Sequence, residues 1–332
     1  MKHLTILVPD TQAGPNTLSC IIGAYHIFTE ANNYYIRQHK DPVFTIEMAG
    51  VSEQSNFVNG LLTVMPQKGI NSIPKTDLII IPAILAAFKK VEGGNVILVD
   101  WILEQYKKGA EVASMCTGAY ILASTGLLDK KSCSIHWNAA ANFKQLFPKV
   151  NLKAEKLITD EQGIYTNGGG YSFLNLIIYL VEKYYDRQTA IYCSKVFQID
   201  IDRQAQSDFV IFNGQKTHGD EVVVKAQEYI EKNFTEKISI EELSKKFTVG
   251  RRNFDRRFIK ATGNTPVEYL QRVKIESAKK ELETSRKTIN EIMYEVGYAD
   301  VKAFREVFRK ITGLSPLEYK NKYNKIGMVA EL

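Results

Sequence analysis

Ten residues near the C-terminal end, "ITGLSPLEYK" (311–320), repeat a stretch fifty positions earlier, "ATGNTPVEYL" (261–270). The repeat extends upstream. Phe254 and Phe258 map onto Phe304 and Phe308 at the same displacement, and Ser239-Ile-Glu-Glu242 is echoed by Thr288-Ile-Asn-Glu291 at a displacement of 49. A hydroxyl followed three residues later by Glu predicts a capping box, in which the hydroxyl accepts the N3 amide and the carboxylate accepts the cap's own N–H. Thr265-Pro266-Val-Glu268 and Ser315-Pro316-Leu-Glu318 add a second pair of caps, with Pro at the first helical position, where its missing N–H is no loss. Each copy therefore reads as a capped helix, a short break, a second helix with Phe at i and i+4, a glycine, and a Pro-started helix. Two copies cannot make a solenoid, so the repeat predicts a closed, all-helical domain.

The breaks, "FTVG" (247–250) and "VGYAD" (296–300), give helix-turn-helix grammar, in which the second helix enters the major groove of DNA. With Phe254 and Phe258 facing the core, Arg251, Arg252, Asp255, Arg256 and Arg257 take the polar side. In the second copy Phe304 and Phe308 turn inward, and Lys302, Arg305 and Arg309 turn out. Arg and Lys side chains read guanine edges or hold phosphates. Charge points the same way: from Asp220 onward 23 Lys and Arg face 18 Asp and Glu, which leaves +5 of the chain's +6 in the last third. One basic amphipathic helix would be read as a solvated face. Two spaced copies with matching caps and breaks favour a pair of DNA-reading units.

Residues 1 to about 186 follow another pattern. Short apolar or β-branched runs at 4–9, 43–50, 77–83 and 110–116 alternate with helical stretches at 18–31, 95–108, 117–127 and 171–186. That alternation predicts an α/β sandwich on a largely parallel sheet, with hairpins at 58–64 and 157–167 appended to it. The four cysteines (Cys20, Cys116, Cys133, Cys193) form no CxxC pair and no metal-ligand spacing. No disulfide framework or metal site is expected, and a reducing cytoplasm fits. "MKHLTILVPD" is too short an apolar run for a signal peptide, and no segment approaches bilayer-spanning length.

Residues 221–322 resemble the AraC/XylS-type DNA-binding domain through "ISIEELSKKFTVGRRNFDRRFIKATGNTPVEYLQRVKIESAKKEL" and "TINEIMYEVGYADVKAFREVFRKITGLSPLEY". The resemblance implies two helix-turn-helix units joined by a long helix at about 266–283. It places base-facing positions at Arg252, Asp255 and Arg256, beside Arg251, in the first reading helix, and at Val301, Lys302, Arg305 and Glu306 in the second. Glu306 stands where arginine is common in the family, and it is expected to turn from DNA and pair with Arg309 or Lys310.

"SMCTGAYILASTGLLDKKSCSIHW" (114–137) is similar to a class I glutamine amidotransferase-like domain, in the branch of the intracellular proteases and the Parkinson-disease-associated chaperone/deglycase. This implies an amidotransferase-like (flavodoxin-like) sandwich over 1–200, a linker at 201–220, the AraC-type domain at 221–322 and a tail at 323–332. It puts Cys116 at the nucleophile elbow and His136 at the histidine position. "IYTNGGGYSFLNLIIYLVE" (164–182) then closes a pocket lined by Cys116, Thr117, His136, Pro82, Ala83 and Gly169. Three features of active relatives are missing. Cys20, Ile21 and His26 surround the place of an acid on the first helix. Pro82-Ala83-Ile84 replaces a Gly-Gly whose amides face the oxyanion, and Asn175 stands for a carboxylate. Each lost oxyanion donor forfeits roughly 10²–10³ in rate. The expected function is a regulator with no catalytic residues and no cofactor. Its partners would be double-stranded DNA, a small-molecule effector and a second copy as a homodimer, with no membrane. Cys116 reads either as a small residue demanded by a tight turn or as a sensing thiol. The rival class is a cysteine hydrolase or amidase carrying an autoregulatory DNA-binding domain.

Overall fold

The computed structural model describes residues 1–10, 13–85, 95–216 and 218–324. The chain divides into two compact units, Met1–Gln206 and a second beginning at Ser207. In the first, a seven-stranded sheet runs in the order Ile158–Glu161, Ile164–Asn167, Glu111–Ser114, Leu78–Ile81, Lys2–Val8, Phe44–Gly50, Lys68–Gly69. Every pairing in it is parallel except that of Ile158–Glu161 with Ile164–Asn167. Numbered along the chain, the five main parallel strands lie 2-1-3-4-5, the flavodoxin-like order. Leu78–Ile81 is wholly buried because helices cover both faces, which is why a parallel strand reads as an unbroken apolar run rather than an alternation.

The sheet separates two cores. Leu4, Ile6, Leu78 and Ile80 pack with the helices Pro15–Arg37, Phe173–Tyr184 and Arg187–Val196. Leu7, Ile79 and Ile81 pack on the other side with Asn95–Lys107, Ala119–Ser124 and Ala140–Leu146. One appended hairpin proves to be structural sheet: Ile164–Asn167 pairs in parallel with Glu111–Ser114 and is buried throughout. The other, Ser55–Phe57 with Leu62–Val64, lies outside the main sheet. The stretch expected as a linker is divided between the units. Gln206 is buried in the first, donating to the carbonyls of Ile135 and Ala154 at 2.8 Å each. In the second, Phe212 N–H donates to Glu276 at 3.1 Å and buried Lys279 donates to the Val210 carbonyl. The buried ammonium has a carboxylate beside it, Glu276 at 2.8 Å, as a charge removed from water requires.

Among the described residues the regular structure of the second unit is helical, its α-helices being Glu221–Asn233, Ile240–Lys246, Arg251–Thr262, Pro266–Thr284, Ile289–Glu295, Val301–Thr312 and Pro316–Tyr323. Each repeat copy has its own core. Phe254, Phe258 and Tyr269 centre one, and Phe304, Phe308 and Tyr319 the other. The long helix serves both, giving Tyr269 to the first and Ile275, Ala278 and Leu282 to the second. The capping boxes at Thr265, Thr288 and Ser315 are closed. At Ser239 only half of the box is present: its hydroxyl accepts from Glu242 N–H at 3.3 Å, without the return bond.

Candidate functional site

The two turns bend through left-handed residues at equivalent places, Thr248 (φ 56°) and Gly297 (φ 76°). Each then delivers a helix whose phenylalanines are fully buried. In the first reading helix Arg252 and Arg256 are exposed. Arg256 donates to Asn253 at 3.0 Å, and Arg252 has no hydrogen-bond or ion-pair partner among the described residues. Arg251 and Asp255, one turn apart, hold each other at 2.9 and 3.1 Å. Arg257 is committed to structure. Its guanidinium forks onto Asp220 at 2.9 and 2.6 Å, and the same carboxylate caps Glu221–Asn233 through Val223 N–H. The Arg257 fork, with that amide, holds the Asp220 carboxyl below its usual range.

In the second reading helix Lys302, Arg305, Glu306 and Arg309 are exposed, and Val301 is half-buried against the core. Asp300 caps this helix through Ala303 N–H at 2.6 Å. The expected pairing of Glu306 with Arg309 or Lys310 is not formed: Glu306 has no ion pair or hydrogen bond among the described residues. Lys274 of the long helix is a contributor the pattern did not reveal. Buried, it donates to the Gly297 carbonyl at 2.8 Å and fixes the second turn from below. A lysine at that position in an amphipathic helix carries no sequence signal of burial.

In the first unit the chain turns sharply after Glu111–Ser114. Cys116 takes φ 53°, left-handed for a residue with a side chain, which strains the backbone. Gly118 follows so close to the neighbouring strand end that a methyl there would fall 2.5 Å from the Pro82 carbonyl oxygen and 2.8 Å from that of Ile81. The His136 ring lies against Gly169, where a side chain would overlap it. Thr117 bonds both the N–H and the carbonyl of Ile84, at 3.1 and 2.6 Å.

The chemistry of this elbow is quiet. Burial pushes the Cys116 thiol up, against the opposing pull of the Gly170 and Thr117 bonds. No hydrogen bond joins Cys116 to His136 among the described residues. The His136 ring accepts at Nδ1 from Asn138 N–H at 3.1 Å, and burial holds it below its ordinary value of 6.5. At the place of the missing acid, Cys20 is buried, and that burial pushes its thiol up to about 12 against a smaller opposing pull from the Ala83 backbone. Of the two amides after Pro82, that of Ile84 is thus engaged internally by Thr117. Sequence reading found the loss of the glycines but not this occupation, because it depends on a side chain distant in the chain.

Residues 243–322 match the family model for a helix-turn-helix domain. Over 258 residues the chain is 24% identical to the HTH-type transcriptional regulator GbdR of Pseudomonas aeruginosa, covering 77% of this chain and 69% of that one. Over 260 residues it is 23% identical to CdhR of the same organism, another HTH-type transcriptional regulator, covering 78% and 76%. The chain is a helix-turn-helix transcriptional regulator. A solved structure described as a transcriptional regulator protein from Vibrio parahaemolyticus superposes with a TM-score of 0.50 at 23% identity, over 59% of this chain and 98% of that one. The helix-turn-helix unit thus follows an α/β unit of flavodoxin-like strand order, and DNA is its partner. No described helix is long and apolar enough to cross a membrane. Among the described residues no group of three or more His, Cys, Asp and Glu side chains is placed to hold a metal ion.

Proposed function

We propose that the first unit performs no catalysis. It instead binds a small effector against Cys116, Thr117, His136, Pro82, Ala83 and Gly169, and it pairs with a second copy so that a cytoplasmic homodimer presents two DNA-binding domains. The observation that carries this reading is the occupation of the Ile84 amide by the Thr117 hydroxyl at 3.1 Å. Donors already satisfied in the ground state cannot be the preorganised groups that stabilise an oxyanion. A buried thiol pushed up and without a basic partner is a poor nucleophile, since the thiolate is the reactive form. In the second unit Arg252, Arg256, Lys302, Arg305 and Glu306 are the base readers, with the Arg251–Asp255 pair and Val301 beside them. An effector that favours one dimer arrangement changes DNA affinity by its differential affinity for the two arrangements.

The test has two arms. Purified protein and Cys116→Ala are compared on amidase, protease and deglycase substrates, with equal, background turnover expected. Turnover that depends on Cys116 would establish the hydrolase alternative. Genomic fragments bound by the protein are then measured with and without a metabolite extract. A changed affinity is expected, and identical binding across extracts would remove the effector-sensing role.

A further inference from the structure

The two reading helices share backbone, core and terminal glycine, yet they differ at the centre of the outward face. Successive residues on an α-helix are about 100° apart. With Phe254 and Phe258 buried, the residue opposite their midpoint is Arg256. With Phe304 and Phe308 buried, it is Glu306. Arg256 and Glu306 are fifty positions apart, the displacement of the repeat itself. Both are exposed. Lys302, Arg309 and Lys310 all stand three or four residues from Glu306, the spacing at which helix ion pairs form. Glu306 nevertheless has no partner among the described residues. By contrast, the acid of the first reading helix, Asp255, is held by Arg251 at 2.9 Å.

We propose that Glu306 reads a cytosine in the second groove segment, and that this makes the two halves of the operator different. The proposal rests on the DNA-binding reading of this unit. Arg is donor-only and fits the N7 and O6 acceptors of guanine. An ionised Glu is acceptor-only. In the major groove it faces a match in the cytosine N4 amino group, repulsion from the guanine and thymine oxygens, and a mixed edge on adenine, whose N7 acceptor adjoins its amino donor. A carboxylate at the groove floor without such a donor meets only acceptors and nearby phosphates. The consequence reaches beyond one base. Two helices that read alike would let the first helix occupy the second's segment in a register shifted by one unit. Opposite charges at the central positions remove that register and fix which end of the site each unit takes.

The experiment uses the full chain. Duplexes are selected from a randomised pool at fixed salt, and every base pair of the consensus is then varied and measured by fluorescence anisotropy. One position in one half of the site is expected to prefer cytosine by about 5- to 150-fold, the range of a single good base contact. Glu306→Ala should abolish that preference. Glu306→Gln should move it toward adenine, while the half read by Arg256 stays unchanged. If Glu306→Ala keeps the preference, or tightens binding to every sequence by one factor, the carboxylate reads nothing and the proposal fails. A pool from which the wild-type chain selects no consensus overturns the DNA reading and this proposal together. A consensus lost on Arg256→Ala but indifferent to Glu306 overturns this proposal alone.

Discussion

Thr117→Val tests whether the elbow is closed by the hydroxyl bonds described above. The substitution keeps shape and removes one oxygen that accepts from Ile84 N–H at 3.1 Å and donates to the Ile84 carbonyl at 2.6 Å. Ile84 is only 5% exposed, so both backbone groups lose a partner where water has little access. An orphaned buried group costs about 1–3 kcal/mol. Thr117 itself is half-buried, which favours the lower end, so a loss of about 2–4 kcal/mol is expected for the pair. Thr117→Ser keeps the oxygen and loses one methyl, about 0.8 kcal/mol. The assay is urea unfolding followed by tryptophan fluorescence. The chain's two tryptophans, Trp101 and Trp137, both lie in the first unit, so the signal reports that unit without the second. Equal losses for Val and Ser would refute the reasoning, because the hydroxyl would then contribute nothing beyond its packing.

Asp220→Ala removes a helix cap and the partner of Arg257 together, and Asp220→Asn keeps a capping oxygen but loses the charge. Thermal unfolding of the second unit should therefore fall more for Ala than for Asn, the cap alone accounting for about 1 kcal/mol. An equal fall for both would show that the cap is idle. His136 gives a pH dependence of defined sign. Burial holds its folded value below 6.5, so below that pH the unfolded chain binds a proton that the folded ring resists. Stability of the first unit is then lost as pH falls from 6.5 toward the folded value. His136→Gln should flatten the change in urea midpoint between pH 7.5 and pH 5.5, and an unaltered slope would assign the effect elsewhere.

The helical repeat was legible almost completely, because caps, prolines and paired phenylalanines are local signals repeated at one spacing. The long helix expected at 266–283 is Pro266–Thr284. Sheet membership was harder to read. Ile164–Asn167 looked like half of an appended hairpin, since its partner in parallel pairing, Glu111–Ser114, is some fifty residues away, and parallel register leaves no turn signature. At the elbow, the cysteine and its glycines were visible in the sequence, but the satisfaction of the Ile84 amide was not, being a matter of which side chain the fold delivers. Among the arginines the sequence showed a basic face without distinguishing Arg257, which is spent on Asp220, from Arg252 and Arg256, which are not.

The most direct measurement is the affinity of the intact chain for its selected duplex and for a scrambled one, compared with Arg252→Ala and Arg256→Ala at the same salt. A base-reading arginine is worth about 1–3 kcal/mol of discrimination, whereas a phosphate contact weakens all sequences alike. Each substitution should therefore lower the ratio of specific to scrambled affinity by about tenfold, with the larger loss on the selected duplex. A ratio unchanged by both substitutions would show that Arg251–Thr262 does not read the DNA.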